Sequence, residues 1–585
     1  EGAPRLGMVA PSAEAVHQAM MALVNFERDW VPSEPGTALY LRPTLLGTEG
    51  FLGVRPSKQY LFFIILCPVG AYYPEGWKPV RIWVEKELIR AAKGVTLTSK
   101  LGRDLPDIPV SLSSAIAPEI REYERTNTTV LNALLVPVVK AYVERLEQRM
   151  CEAGFAPRLL IVQSNGGVCQ PAVAAAEPVR LLLSGPSGGA LATLHLSRAL
   201  SLPAVVGVDM GGTSFDVSVV RDDRIEVITQ GEIDRLPVRV PMIEIRTIGA
   251  GGGSIARVNS AGILQVGPES AGADPGSICY GRGGEEPTIT DANLLLGRLN
   301  PAGLLGVDRT AQLDRIREIF DKKIGAHLGL GPDEVASAIV RVANDKMAGA
   351  IRLVSLQRGH DPRRFAMMAY GGSGPVHAAS YGGDLGVPEI IVPLQAPVHS
   401  AYGAALSDVR FSLRFSDPLT LPVDPAKLEA VYLPMEAQGE ERLTGADVAP
   451  ENRRFERWTE ARYRRQVHTV RVRVPAAIGT AADVRQIGEV FEAEYERLFG
   501  PGSGLKDAGI ELVDYGVDAI GIVEKPQPAK PKAGKVGAPR VSRATYCPLT
   551  NRMIDTPVWD GALDEVQTLP DSDGRGTGGF GSTGR

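Results

Sequence analysis

One stretch limits what this chain can fold into more than any other: Val205-Val206-Gly207-Val208-Asp209-Met210-Gly211-Gly212-Thr213-Ser214-Phe215-Asp216-Val217-Ser218-Val219-Val220. A β-branched run, two glycines, a hydroxyl residue and a second alternating run read as strand, tight turn and returning strand. Two carboxylates, Asp209 and Asp216, bracket a turn whose glycines let backbone N–H groups come close to a ligand. Such donors suit phosphate oxygens, Thr213 adds a hydroxyl, and an Asp at a strand end holds Mg²⁺ directly or through water. The stretch therefore nominates Asp209 and Asp216 as catalytic carboxylates, Asp209 as metal ligand, and Gly211, Gly212 and Thr213 as nucleotide contacts. It is not a Walker loop, because no Lys follows the glycines and a strand follows the turn. The competing reading at this point is an ordinary hairpin closed by Gly-Gly.

Downstream, Pro332-Asp333-Glu334 opens a long helix whose apolar positions Val335, Ile339, Val342, Met347, Ile351 and Val354 recur at helical period. It leads to Phe365–Tyr370 and then Gly371-Gly372-Ser373-Gly374-Pro375-Val376-His377, a buried strand, a Gly-Gly-x-Gly turn and a helix. That form resembles the adenosine motif of actin-type ATPases, and with it the Asp209 hairpin resembles their second phosphate loop. Gly371, Gly372 and Gly374 would lie against the nucleoside, and His377 is expected to pack or cap. Between the two, Thr247–Ile255 carries Gly249 and Gly251. It fails as a dinucleotide fingerprint because Ser254 stands where the last glycine belongs. It reads as a backbone-approach loop of the nucleotide cleft. Asp291 fits a helix N-cap as well as a site residue. Arg224–Ile228 is expected as a third strand of the meander. Leu181–Ala190 is expected as a strand, Gly turn and helix N-terminus able to hold an anion.

The chain has 585 residues, room for roughly three or four domains. Net charge is −5, which argues against nucleic-acid or membrane partners. Five cysteines without CxxC spacing point to a reducing, cytoplasmic setting and away from zinc or disulfide scaffolds. The longest apolar run, Tyr60–Tyr73, is broken by Pro68 and Gly70 and is too short to span a bilayer.

Residues 1–94 read as a separate α+β unit: a helix over 14–26 and strands at 39–43, 60–66 and 79–84. Leu39–Gly94, LYLRPTLLGTEGFLGVRPSKQYLFFIILCPVGAYYPEGWKPVRIWVEKELIRAAKG, resembles the middle of a branched-chain amino-acid aminotransferase, and the similarity begins near residue 14. That resemblance implies a substrate-pocket role for Tyr40 and Arg42. The family's Schiff-base lysine motif does not follow, since Val95–Lys100 stands in its place, so pyridoxal phosphate is not expected.

From about 106 to 522 the chain resembles the hydantoinase/oxoprolinase A family, acetone-carboxylase-like subunits included. The resemblance is carried by REYERTNTTVLNA, QSNGGV, LLSGPSGGALA, GVDMGGTSFDVS, TIGAGGGSIA, ADPGSICYGRGG, TDANLLLGRL and YGGSGPVHAA. It implies an α/β actin-like (ribonuclease H-like) ATPase lobe over 95–410 and a β-rich accessory region over 411–525. It also implies ATP and Mg²⁺ as cofactors, a cyclic amide or ketone as substrate, and a B-type partner subunit. No D-x-G-x-T stretch precedes Val205, so the lobe is expected to lack its first phosphate hairpin, and turnover by this chain is not implied. Aminotransferase activity and a non-catalytic partner-binding role are the competing functions. Pro397–Gly403 reads as a turn, with strands near 469–474 and 516–523. Residues 526–585 read as a Pro/Lys linker and a polar tail that stays disordered.

Overall fold

The computed structural model describes residues 11–28, 31–33, 38–47, 60–69, 111–155, 159–233, 236–304, 310–356, 360–526, 539, 541–547, 550 and 552–558. The expected strand at 79–84, Lys100 and the tail at 569–585 lie outside them.

The front of the chain forms helix α1 (Ala13–Phe26) and an antiparallel pair, β1 (Ala38–Gly47) and β2 (Tyr60–Val69). Ser12 caps α1 by accepting the Ala15 N–H, and Ala19 and Leu23 pack on Phe63, Ile64 and Leu66. Helix α2 (Glu122–Glu152) follows and runs through Pro137 unbroken; the densely charged segment around 122–126 is its first turn. Two short strands, β3 (Ile161–Val162) and β4 (Val168–Cys169), precede α3 (Ser184–Ala199). The strand expected at Leu181–Leu183 does not form. Pro178 starts a 3₁₀ turn over Pro178–Leu181, and Leu183 adopts φ +60° immediately before α3.

The central sheet takes β5 (Ala204–Met210), β6 (Phe215–Arg221) and β7 (Ile245–Ile248) as an antiparallel meander. A hairpin, β8 (Ser254–Val258) and β9 (Leu264–Ser270), then α4 (Ile289–Leu295) and α5 (Pro332–Leu356) lead to β10 (Ala366–Tyr370). Helix α6 (Gly374–Leu385), β11 (Ile390–Ile391) and α7 (His399–Ala405) complete the unit. Strand order is β7-β6-β5-β10-β11, with β10 parallel to both neighbours. The expected third strand forms in part: Arg224–Ile225 pairs antiparallel with the end of β6 as the sixth strand of this sheet, Val227–Ile228 leaves to pair with Met242–Ile243, and the longer pairing along β6 belongs to Ile245–Ile248. Pro397–Gly403 is largely helical instead of a turn: a 3₁₀ segment over Ala396–Val398 leads into α7.

Alternation along β5 and β6 splits the sheet's two faces. Val206, Val208, Met210, Phe215 and Val217 bury against Ile339, Ala343, Met347 and Ile351 of α5, each such side chain contributing about 1.5–3 kcal/mol. The other face packs Val205, Val220, Met368 and Tyr370 against Leu194 and Leu196 of α3. Helix α7 lies across α3 so closely that a Cβ at Gly403 would collide with the Gly188 carbonyl.

A second six-stranded sheet holds β12 (Val409–Thr420), β13 (Arg453–Tyr463), β14 (Val470–Arg473) and β15 (Ile510–Gly521), in the order β14-β13-β15-β12-β4-β3. One face carries α8 (Pro425–Gly445) and α9 (Ala481–Phe499), so this region is a helix-on-sheet layer. The expected boundary after residue 410 falls inside β12, and residues 161–169 belong to this sheet. Residues 541–558 correct the expectation of a structureless 526–585. β16 (Val541–Cys547) and β17 (Arg552–Val558) form a hairpin, and the Tyr546 N–H donates to the Leu296 carbonyl at the end of α4.

Candidate functional site

Register places four polar residues in one row across the central sheet. Thr247 of β7 is opposite Asp216 of β6, Asp216 opposite Asp209 of β5, and Asp209 beside Tyr370 of β10. Thr247 donates its hydroxyl to Asp216 Oδ1 at 2.5 Å, and Ser214 donates to Asp216 Oδ2 at 3.1 Å. Ser400, on the second residue of α7, donates to Asp209 Oδ2 at 3.0 Å. Burial raises the pKa of both carboxylates above the usual Asp range, and the charge on Asp216 raises Asp209 further. Like charges directly opposite across an antiparallel pair destabilise it. Among the described residues neither carboxylate has an ion-pair partner. A divalent cation is the natural complement, and Asp209 and Asp216 fit it as donors.

Three glycine turns converge over this row. In the 211–214 turn the Gly211 and Gly212 carbonyls accept from the amides of Gly252 and Gly253, at 2.9 and 2.6 Å. Among the described residues the amides of Gly212 and Thr213 make no protein hydrogen bond, so the exposed side of the turn offers donors, as anions require. A Cβ at Gly211, Gly212 or Gly372 would meet nothing within 4 Å. The other glycines serve packing. A Cβ at Gly251 would collide with Gly212 and Thr213, one at Gly249 with Pro268, and one at Gly371 (φ +82°) with Asp209 Oδ1 and the Met210 carbonyl. Gly374 begins α6 beneath Met210. The Ser373 N–H donates to the Met210 carbonyl at 2.9 Å, which fixes the 371–374 turn against the strand end. The structure thus brings Asp209, Gly211, Gly212, Thr213, Asp216, Gly371, Gly372 and Gly374 together. Gly251 supports the turn from behind, while Gly249 packs on Pro268.

Thr247, Ser214, Ser373, Thr290 and Ser400 escaped the sequence reading. Thr290 donates to the Gly252 carbonyl at 2.9 Å, and its neighbour Asp291 is fully buried; the N-cap of α4 is Thr288, and Asp291 completes its capping box and receives the Cys279 amide. Ser214, Thr247, Thr290 and Ser373 sat inside quoted motifs without being given a role, and only Ser400 lay outside them. His377 packs as expected. It is buried between Asn293, 2.9 Å from Nε2, and Asn344, 2.8 Å from Nδ1, and burial pulls its pKa down to about 3. On β1, Arg42 Nε donates to the Tyr40 hydroxyl at 2.7 Å, so the two residues expected to line a substrate pocket are engaged with each other.

Comparison with known proteins agrees with the geometry. A Hydantoinase/oxoprolinase profile matches residues 125–413, and a Hydantoinase/oxoprolinase C-terminal domain profile matches 423–560. Caprolactamase subunit alpha of Pseudomonas jessenii is 34% identical over 473 residues, covering 79% of this chain and 67% of that protein. The chain belongs to the hydantoinase/oxoprolinase family. Among solved structures, the ATP-dependent caprolactamase from Pseudomonas jessenii superposes with a TM-score of 0.69 at 33% identity, over 79% of this chain and 67% of that one. Nucleotide-free acetone carboxylase gives 0.64 at 26% identity, over 76% and 64%. The chain spans about two thirds of the length of these family members. The family profiles begin at residue 125, beyond the aminotransferase-like segment. Among the described residues no helix is long and apolar enough to cross a membrane, and no three His, Cys, Asp or Glu side chains cluster as a metal cage. Mg²⁺, which favours one or two carboxylates with water and phosphate, does not need such a cage, and the donor chemistry of Asp209 and Asp216 fits it.

Proposed function

We propose that this chain is the A-type subunit of an ATP-dependent hydantoinase or oxoprolinase and holds ATP·Mg²⁺ on an actin-like lobe. It would activate a cyclic amide or a ketone by phosphorylating the carbonyl-derived oxygen, for a B-type subunit to complete hydrolysis or carboxylation. The observation that carries the reading is the pair of opposed carboxylates that, among the described residues, have hydroxyl donors but no ion-pair partner, beneath a Gly211–Gly212 turn whose 212 and 213 amides make no protein hydrogen bond among those residues. When bound, ATP supplies the phosphoryl group that turns a poor leaving oxygen into a phosphate ester. Asp209 and Asp216 would hold Mg²⁺, the 212–213 amides and Thr213 hydroxyl would receive phosphate oxygens, and Gly372 would leave room for the nucleoside.

Kinship with caprolactamase favours the cyclic amide, and kinship with acetone carboxylase keeps the ketone. Titration calorimetry tests the nucleotide site. ATP with Mg²⁺ should bind and ATP in EDTA should bind more weakly. Asp209→Asn should abolish the difference while raising the thermal midpoint of the metal-free protein, because it removes one of two opposed charges. Equal heats with and without Mg²⁺ would refute the site.

A further inference from the structure

The carboxylate of Asp209 is not free to turn. Its Oδ2 accepts the Ser400 hydroxyl at 3.0 Å, and its Oδ1 lies on the side of Gly371, where a Cβ would strike it. Ser400 is in turn immobilised from three directions. Its carbonyl and hydroxyl fill the space left by the missing side chains of Gly188 and Gly189 on α3. Gly403, one turn further along α7, sits against the Gly188 carbonyl. The preceding residue, His399, is buried, stacks on Tyr370 with ring centroids 4.1 Å apart, and holds Nε2 3.3 Å from the Thr193 hydroxyl. The start of α7 is therefore pinned to α3 and β10, and the position of the Ser400 hydroxyl follows from that packing.

We propose that Ser400 is a positioning residue that makes Asp209 a one-oxygen ligand and so sets a preference for Mg²⁺ over Ca²⁺ at this site. The inference rests on the reading of the site as one for ATP·Mg²⁺. Mg²⁺ demands near-ideal octahedral geometry and short bonds to single carboxylate oxygens, whereas Ca²⁺ accepts a carboxylate through both oxygens in a looser shell. With Oδ2 held on the Ser400 hydroxyl, Oδ1, which accepts no hydrogen bond among the described residues, is the oxygen turned toward the ion. Without the hydroxyl, the Asp209 carboxylate is released to swing and chelate, a mode that Ca²⁺ tolerates and Mg²⁺ does not.

The test is ATP binding by the full chain, followed calorimetrically as Mg²⁺ or Ca²⁺ is titrated, with a parallel measurement in EDTA. Ser400→Ala should raise the Mg²⁺ midpoint about tenfold, the scale of one hydrogen bond to a charged group. It should leave the Ca²⁺ midpoint within about twofold and ATP affinity in EDTA unchanged. Ser400→Thr, which keeps the hydroxyl, should restore the Mg²⁺ midpoint. Unchanged midpoints in Ser400→Ala would overturn the inference. So would a parallel loss of Mg²⁺, Ca²⁺ and EDTA binding, since that marks a purely structural role. Absence of Mg²⁺-dependent ATP binding in the wild-type chain would instead defeat the proposed function, and this inference with it.

Discussion

The residues that matter most here are polar groups whose partners are as informative as their positions. Asp209 and Asp216 face each other with hydroxyl donors only, whereas His377 is fully satisfied by two asparagine side chains in a site no solvent reaches. That difference sets the proposed ligand site apart from a structural lock. His377 joins α6 to α4 and α5 in its neutral form, because burial and the Arg298 charge pull its pKa from the ordinary 6.5 to about 3. A depressed histidine contributes stability that is complete above pH 6.5 and is lost as pH falls toward 3, since only the unfolded chain gains the proton in that window. The slope for one such group is about 1.4 kcal/mol per pH unit. Burial pulls His399 from 6.5 down to about 4, so it adds a similar loss of stability as pH falls from 6.5 toward 4. Urea denaturation at pH 7, 6 and 5 should show His377→Gln losing about 1.4 kcal/mol per unit less than wild type. An unchanged slope would mean the imidazole is already charged in the folded protein.

At the level of elements, the sequence made local patterns readable and left their convergence hidden. β5, β6, β10, α5 and α6 fall where β-branched runs, helical periodicity and glycine turns put them, because each signal is contained within one element. How the edge of β6 is shared was not readable, because Arg224–Ile228 and Ile245–Ile248 are equally strand-like; only two residues of the first pair there, and the second takes the rest. Leu181–Leu183 misled because three apolar residues carry no period, and a proline ahead of them set the backbone. Sequence also could not divide the glycines. Gly212 and Gly251 look alike in their motifs, yet one faces open space and the other abuts the backbone of Thr213. Gly212→Ala should unfold within about 0.5 kcal/mol of wild type while weakening nucleotide binding. Gly251→Ala should cost on the order of 1–3 kcal/mol and distort the turn as well. Denaturant midpoints measured beside ATP titrations separate the two, and equal stability losses would refute this assignment.

Across the whole molecule, the central sheet is tied to the second sheet by charge buried as deeply as any apolar residue. Arg239, in the excursion between β6 and β7, pairs with Glu119 ahead of α2, lies 3.3 Å from Asp514 of β15 and stands 4.0 Å from Glu460 of β13. Arg414 of β12 joins the same Glu119 and approaches Glu460 at 3.5 Å. None of these five side chains is more than 4% exposed. Such a cluster adds little net stability compared with an apolar core of the same volume, but removing one member strands the others without water. It also specifies how the parts meet, since two guanidinium groups must reach three carboxylates, the five groups drawn from five separate stretches of chain. Arg239→Met should therefore cost about 3–5 kcal/mol. The loss should be uneven, because the α3–β5–β10 core and the β12–β15 core each keep their own apolar packing. Urea unfolding followed by tryptophan fluorescence, which includes Trp458 in the second sheet, and by far-ultraviolet dichroism should give coincident curves for the wild-type chain and separated curves for Arg239→Met. Coincident curves in the variant would show that apolar contacts alone couple the two sheets and that the charge cluster only fills the space between them.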